Sequence, residues 1–192
     1  MEPKKFRSIK PEIRILGVDD GQFIPHKVGE AIVVGVVFRG CCSIDGVMHT
    51  HVAIDGFDVT EKLTSMINSS PHRKQLRLVM LNGITFAGFN IVDIARLSLD
   101  TGLPVIALTL KKPDLEAVRK ALSNLPKSGE RWEMILSAGE IHEIVCFGKK
   151  IYLELAGISL VDAKEIVELT STNSSFPEPL RVAHLIASGV SL

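Results

Sequence analysis

The chain has 192 residues, 46% of them hydrophobic and 23% charged, enough for one domain with a substantial core. Lys+Arg and Asp+Glu are equal at 22 each, so there is no overall basic excess of the kind that grips long nucleic acid without sequence preference. Cys41, Cys42 and Cys146 form neither a disulfide framework nor a zinc-ligand spacing. The start, "MEPKKFRSIK", has no apolar core of a signal peptide, and no apolar run approaches the ~18 residues of a membrane span. A cytoplasmic protein with reduced thiols and no membrane contact is expected. We expect one domain over residues 1–192, with 1–12 a loosely ordered tail.

"IRILGV" (13–18) reads as a short buried strand. "EAIVVGVVF" (30–38) is a β-branched run and a second strand, and "VMHTHVAI" (47–54) is a third. Arg39-Gly40 or Asp45-Gly46 could close the hairpin between them. In "DVTEKLTSMI" (58–67), Asp58 and Glu61 fit a capping box ahead of a helical stripe of Leu63, Met66 and Ile67. "LRLVML" (76–81) is a fourth strand. The loop "NGITFAGFN" (82–90) leads to a helix, "IVDIARLSL", stopped by Gly102 and Pro104. "VIALTL" (105–110) is a fifth strand, and Pro113 opens another helix. Beyond Pro126, "EIHEIVCF" and "KIYLELA" suggest one or two further strands. A helix capped by Ser159 and Asp162 follows, then a polar loop and a last helix, "PEPLRVAHLIAS".

Two hairpin-linked strands followed by β-α-β crossovers predict an α/β domain. It is a mixed five-stranded sheet of order 3-2-1-4-5 with helices on both faces, the ribonuclease H-like arrangement, plus extra C-terminal strands and helices. Other mixed α/β sheets remain compatible with the pattern. In that order the first, third, fourth and fifth strands end on one edge, where sites of open α/β sheets collect. Asp19 and Asp20 stand there after the first strand, Asp55 and Asp58 after the third, Asn82 after the fourth. Clustered oxygen donors suit Mg²⁺ or Mn²⁺, with Asp19, Asp20 and Asp58 as ligands. Turn and cap roles also account for Asp20, Asp55 and Asp58. Asp19, after the central strand, is the acid such roles explain least.

Several motifs resemble endonuclease V. They are "GVD" (17–19), "LNG" (81–83), "GLPVIAL" (102–108), "AGISLVDA" (156–163) and "FPEPLRVAH" (176–184). The longer patterns "GVDDG…F" and "GITFAGFN" resemble an uncharacterised, mostly archaeal UPF-type family that is itself similar to endonuclease V. The resemblance implies a metal-binding aspartate at Asp19, Mg²⁺ or Mn²⁺ as cofactor and nucleic acid as partner. It also shows departures. Asn82 stands where that family has an acid, its C-terminal histidine falls near Gly157-Ile158, and its tyrosine-proline wedge has no counterpart. Its glutamate has only Asp55, Asp58 or Glu61 as substitutes, and Lys111 is the nearest match to its lysine.

The glycine-rich loop over 83–90 sits between a strand and a helix, a place where backbone N–H groups can cradle phosphate. Gly21, Gly83, Thr85, Gly88 and Lys111 are therefore candidate substrate contacts, with Asp19 and Asn82 the candidate catalytic pair. His49, His51 and His184 read as exposed or packing residues. Cys41 and Cys42, read as strand neighbours, should point to opposite faces. Lys4, Lys5, Arg7 and Lys10 make a small basic patch. With one tryptophan, Trp132, and one tyrosine, Tyr152, there is no aromatic platform for stacking bases. Two functions follow: a metal-dependent nuclease or phosphodiesterase, or a non-catalytic relative that binds nucleic acid, a nucleotide or a protein.

Overall fold

The computed structural model describes residues 6, 8–25, 27–172 and 174–191. Lys4, Lys5 and Arg7 of the basic patch lie outside them.

The sheet is built outward from β1 (Arg14–Asp20), whose inner five residues are buried. Helices cover both of its faces, which is why the run from Ile15 to Val18 has no alternating polar residues. Antiparallel to it runs β2 (Glu30–Arg39), then β3 (Ser43–Ala53) at the edge. On the other side β4 (Leu78–Asn82) and β7 (Val105–Thr109) run parallel to β1. The expected order 3-2-1-4-5 is present, with β7 as the fifth strand. The sheet then continues antiparallel through β9 (Lys149–Ala156) to β8 (His142–Cys146), giving seven strands in all. Both C-terminal strand candidates therefore pair into the main sheet.

One face carries α1 (Val59–Asn68), α2 (Ile94–Thr101), α3 (Leu115–Leu122) and α4 (Ser128–Ser137), which bury Leu63, Leu97, Leu122 and Ile135 in one core. The opposite face carries α5 (Leu160–Thr170) and α6 (Glu178–Val190), with Ile166, Val167 and Leu180 in a second core. Phe6 and Ile9, from the expected loose tail, pack against that second core. No helix among the described residues is long and apolar enough to cross a membrane.

Local differences have simple causes. The hairpin turns over residues 40–42, and Asp45-Gly46 lies inside β3, where Gly46 makes room for the His72 ring. Cys41 and Cys42 thus sit in a turn, not a strand, and their Sγ atoms meet at 2.8 Å instead of facing apart. Asp93 and Asp114 cap α2 and α3, so both helices begin later than the apolar pattern suggests. The glycine-rich loop folds into a miniature hairpin of β5 (Thr85–Phe86) and β6 (Asn90–Ile91). Asp58 does not close a capping box, because its side chain is turned to other partners described below.

Candidate functional site

Helix α6 packs on β1 and β2. Its close approach is made possible by two glycines that bracket Asp19. A Cβ on Gly17 would collide with the Pro179 backbone, and one on Gly21 with Ser191, Ile32 and the Ala187 carbonyl. The "GVD" and "PEP" motifs, far apart in sequence, therefore touch. Leu180, Ala183 and Ala187 form the buried stripe of α6. His184 flanks that stripe and lands beside Asp19.

Asp19, at 2% exposure, is held from three sides. Its Oδ1 accepts the Asp20 backbone N–H at 3.0 Å. The Asn82 amide nitrogen, at the end of β4, donates to both Oδ1 and Oδ2 at 3.1 Å. His184 Nδ1 lies 2.8 Å from Oδ2, on a side chain that is 57% exposed. Burial pushes the Asp19 carboxyl above its usual range, and the hydrogen bonds from Asn82 and His184 pull it part of the way back. With the proton on Nδ1, His184 donates to Asp19 and keeps Nε2, across the ring, as an acceptor. A buried acid orienting an accessible imidazole is an arrangement that can take a proton from water.

Beside this pair opens a cavity of about 600 Å³. Asn82, Gly83, Thr85, Lys111 and His184 all line it. Thr109 Oγ1 donates to the Lys111 carbonyl at 3.0 Å and so fixes the loop that carries the lysine. The structure thus brings together Asp19, Asn82, Gly83, Thr85 and Lys111 from the sequence-derived set.

The other candidates are used elsewhere. Asp20 Oδ2 accepts the Ala87 N–H at 2.6 Å. Burial raises the Asp20 carboxyl to about 6, that hydrogen bond opposes the rise, and the neighbouring charge of Asp19 adds to it. Asp55 Oδ1 accepts the Phe89 N–H at 2.8 Å, and Gly88 lets the loop tip close against that carboxylate. Asp58 accepts the Ala53 N–H at 3.2 Å and Asn90 Nδ2 at 2.6 Å. Asn90 in turn accepts the Val59 N–H at 3.1 Å, one of the free donors in the first turn of α1. Buried Arg131 donates to the Gly56, Phe89, Asp55 and Pro126 carbonyls and stacks on Phe57. The N–H groups of Ala87 and Phe89, expected to cradle phosphate, are thus spent on carboxylates within the protein. Gly21 and Gly88 serve close packing.

The donor set in this arrangement does not fit a divalent cation. Mg²⁺ takes about six oxygen donors, usually one or two carboxylates with water and phosphate. Both Asp19 oxygens already accept hydrogen bonds, and Asn82 offers Asp19 its nitrogen. Among the described residues no three His, Cys, Asp or Glu side chains are grouped to hold a metal ion.

Two residues of the site escape the sequence reading. His184 was expected to pack. The structure places it beside Asp19, and the signal was its place next to the Leu180, Ala183, Ala187 stripe. Glu154 lines the cavity at 7% exposure. Its signal was a lone acid on the core-facing side of β9, in step with Ala156.

The chain is 50% identical over 193 residues to a UPF0215 protein of Methanothermobacter thermautotrophicus, covering 100% of this chain and 94% of that one. A UPF0215 protein of Pyrococcus furiosus is 43% identical, with 96% and 95% covered. Among solved structures, a protein of unknown function from Archaeoglobus fulgidus superposes with a TM-score of 0.83 at 38% identity, over 93% of this chain and 98% of that one. Endonuclease V of Streptomyces avermitilis matches with a TM-score of 0.60 at 14% identity, over 97% and 83%. Endonuclease V of Ciona intestinalis in complex with a DNA containing inosine matches at 0.54 and 15%, over 88% and 81%. The last two establish a shared ribonuclease H-like fold. Residues 11–191 match the family described as endonuclease dU, so the chain belongs to the endonuclease dU family.

Proposed function

We propose that the chain is an endonuclease that hydrolyses a phosphodiester bond in DNA, with Asp19 and His184 as its reacting pair. The observation that carries this reading is the buried Asp19 carboxylate 2.8 Å from the Nδ1 of an exposed histidine that lines a cavity. Asp19 holds the imidazole so that Nε2 can accept a proton from water. The water oxygen attacks phosphorus, and the sugar oxygen leaves with a proton from solvent. Lys111 and Lys112 line the same cavity and place positive charge where the phosphate would lie. They offset the missing basic excess locally. The description of the family, and the DNA bound to the Ciona intestinalis endonuclease V, support nucleic acid as the substrate class. No step is routed through a metal, because the donor set does not fit one.

A second reading, a relative that binds nucleic acid without cutting it, is favoured by one observation. Asn82 supplies no charge where the resemblance leads one to expect an acid. Incubating the protein with duplex DNA carrying one deoxyuridine or one inosine separates the two. Nicking that disappears in Asp19→Ala, with folding intact by circular dichroism, supports the endonuclease. Binding without nicking by the wild type supports the second reading.

A further inference from the structure

The turn that joins β2 to β3 lies at the end of the sheet away from Asp19, because Arg14 pairs with Arg39 there and Asp20 pairs with Val33 at the other end. It carries two adjacent cysteines, Cys41 half-buried and Cys42 exposed, whereas Cys146 is buried. Exposed turns are ordinarily filled by Gly, Asn, Asp or Ser. A cysteine used for packing is ordinarily buried, as Cys146 is. Neither role accounts for two cysteines at this place. The backbone on either side of them is pinned. Arg39 pairs with Ser43 across the turn, Gly40 donates to the Ile13 carbonyl at 2.9 Å, and a Cβ on Gly40 would collide with the Pro11 carbonyl oxygen. Arg14 and Arg39 both pair with Asp45, at 2.8 and 3.3 Å. Held in this way, the two Sγ atoms stand 2.8 Å apart.

We propose that Cys41 and Cys42 form a reversible thiol–disulfide couple whose substrate is a small-molecule disulfide. A thiolate of the pair attacks one sulfur of the incoming disulfide. A new S–S bond forms, the old one breaks, and a small thiolate leaves and takes a proton from solvent. The second cysteine gives its proton to solvent and attacks the first cysteine's sulfur, expelling the other half of the substrate as a second thiol. The two cysteines are oxidised by two electrons, and the small disulfide is reduced to two thiols. The hydrogen bond from Cys41 pushes the Cys42 thiol up, which favours Cys41 as the first to attack. Neighbouring Cα atoms are about 3.8 Å apart, closer than the ~4.4–6.8 Å of ordinary disulfides. The closed bond is therefore strained and readily reduced, which suits a couple that turns over rather than a permanent staple. A metal role is less well served: among the described residues no third His, Cys, Asp or Glu joins the pair as a ligand.

The test treats the full chain, fully reduced beforehand, with oxidised glutathione. Free thiols are then alkylated with iodoacetamide in denaturant, and tryptic peptides are mapped by mass spectrometry. Cleavage after Arg39 and Lys62 releases both cysteines in one peptide. In the wild type that peptide should lose two hydrogen masses and take up no alkyl group, while buried Cys146 remains a thiol and is alkylated. Dithiothreitol should restore both turn thiols. Because the neighbouring thiol attacks within the same molecule, the mixed disulfide with glutathione should stay below about a tenth of the wild-type protein. Cys42→Ser has no second thiol and should accumulate the glutathione adduct on Cys41, at least about tenfold more than the wild type.

Alkylation of both turn cysteines after the treatment overturns the inference. A stable glutathione adduct on the wild type, or a dimer linked through these cysteines, overturns it as well. So does oxidation of Cys146 at the same rate, since that would mean the thiols react from unfolded protein rather than from the pinned turn.

Discussion

Two groups of acids stand near the same edge of the sheet, and their partners differ. Asp20, Asp55 and Asp58 accept from backbone N–H groups of Ala87, Phe89 and Ala53. Together with Asn90 and Arg131 they fasten the β5–β6 hairpin and the start of α1. Asp19 accepts from two side chains that line a cavity, one of them more than half exposed. An acid tied to the main chain is a fastening whose loss loosens the fold. One tied to an accessible imidazole can act on something that arrives from solvent. The comparison shows why a count of acids at a strand edge overstates a metal site: most of these are already satisfied by the protein itself.

The difference can be broken at several points. The largest effect is expected at His184. His184→Ala should lower the nicking rate about 10²–10⁴-fold while the melting temperature stays put, because the ring is mostly in water. A rate unchanged in that variant would remove the histidine from the chemistry. Arg131→Met should show the opposite profile. It leaves several buried carbonyls without a donor, at a cost on the order of 3 kcal/mol, with activity per folded molecule nearly preserved. Urea unfolding paired with rate measurement checks both numbers.

A smaller effect comes from Asp20. Its folded pKa is raised from 3.8 to about 6, chiefly by burial. A raised acid adds stability that is present below its unfolded pKa and lost as pH rises through the folded value. Between about pH 4 and 7 the wild type should therefore lose more stability than Asp20→Asn, whose amide oxygen can still accept the Ala87 N–H. Parallel pH–stability curves for the two proteins would show that burial does not act on Asp20 as described.

Much of the fold was legible because β1, β2, β4 and β7 are apolar runs of strand length separated by clear helices and turns. Their order then placed Asp19 and Asn82 side by side. The hairpin over 85–91 was not legible, since two-residue strands leave no periodicity to read. Asp58 misled because a capping-box pattern cannot reveal that Asn90, distant in sequence, engages its carboxylate. His184 and Glu154 depend on packing across the sheet. Which side of α6 meets β1 is decided by the contacts of Gly17 and Gly21, and no local pattern around His184 states it.

The most direct test uses neighbouring residues and one substitution type. Asp19→Asn and Asp20→Asn change the same charge on adjacent residues. On deoxyuridine- or inosine-containing duplex, Asp19→Asn should lose at least about 10³-fold in nicking rate, and Asp20→Asn should stay within about threefold of wild type. Equal losses in the two variants, or full activity in Asp19→Asn, would contradict the division between a reacting acid and a fastening one.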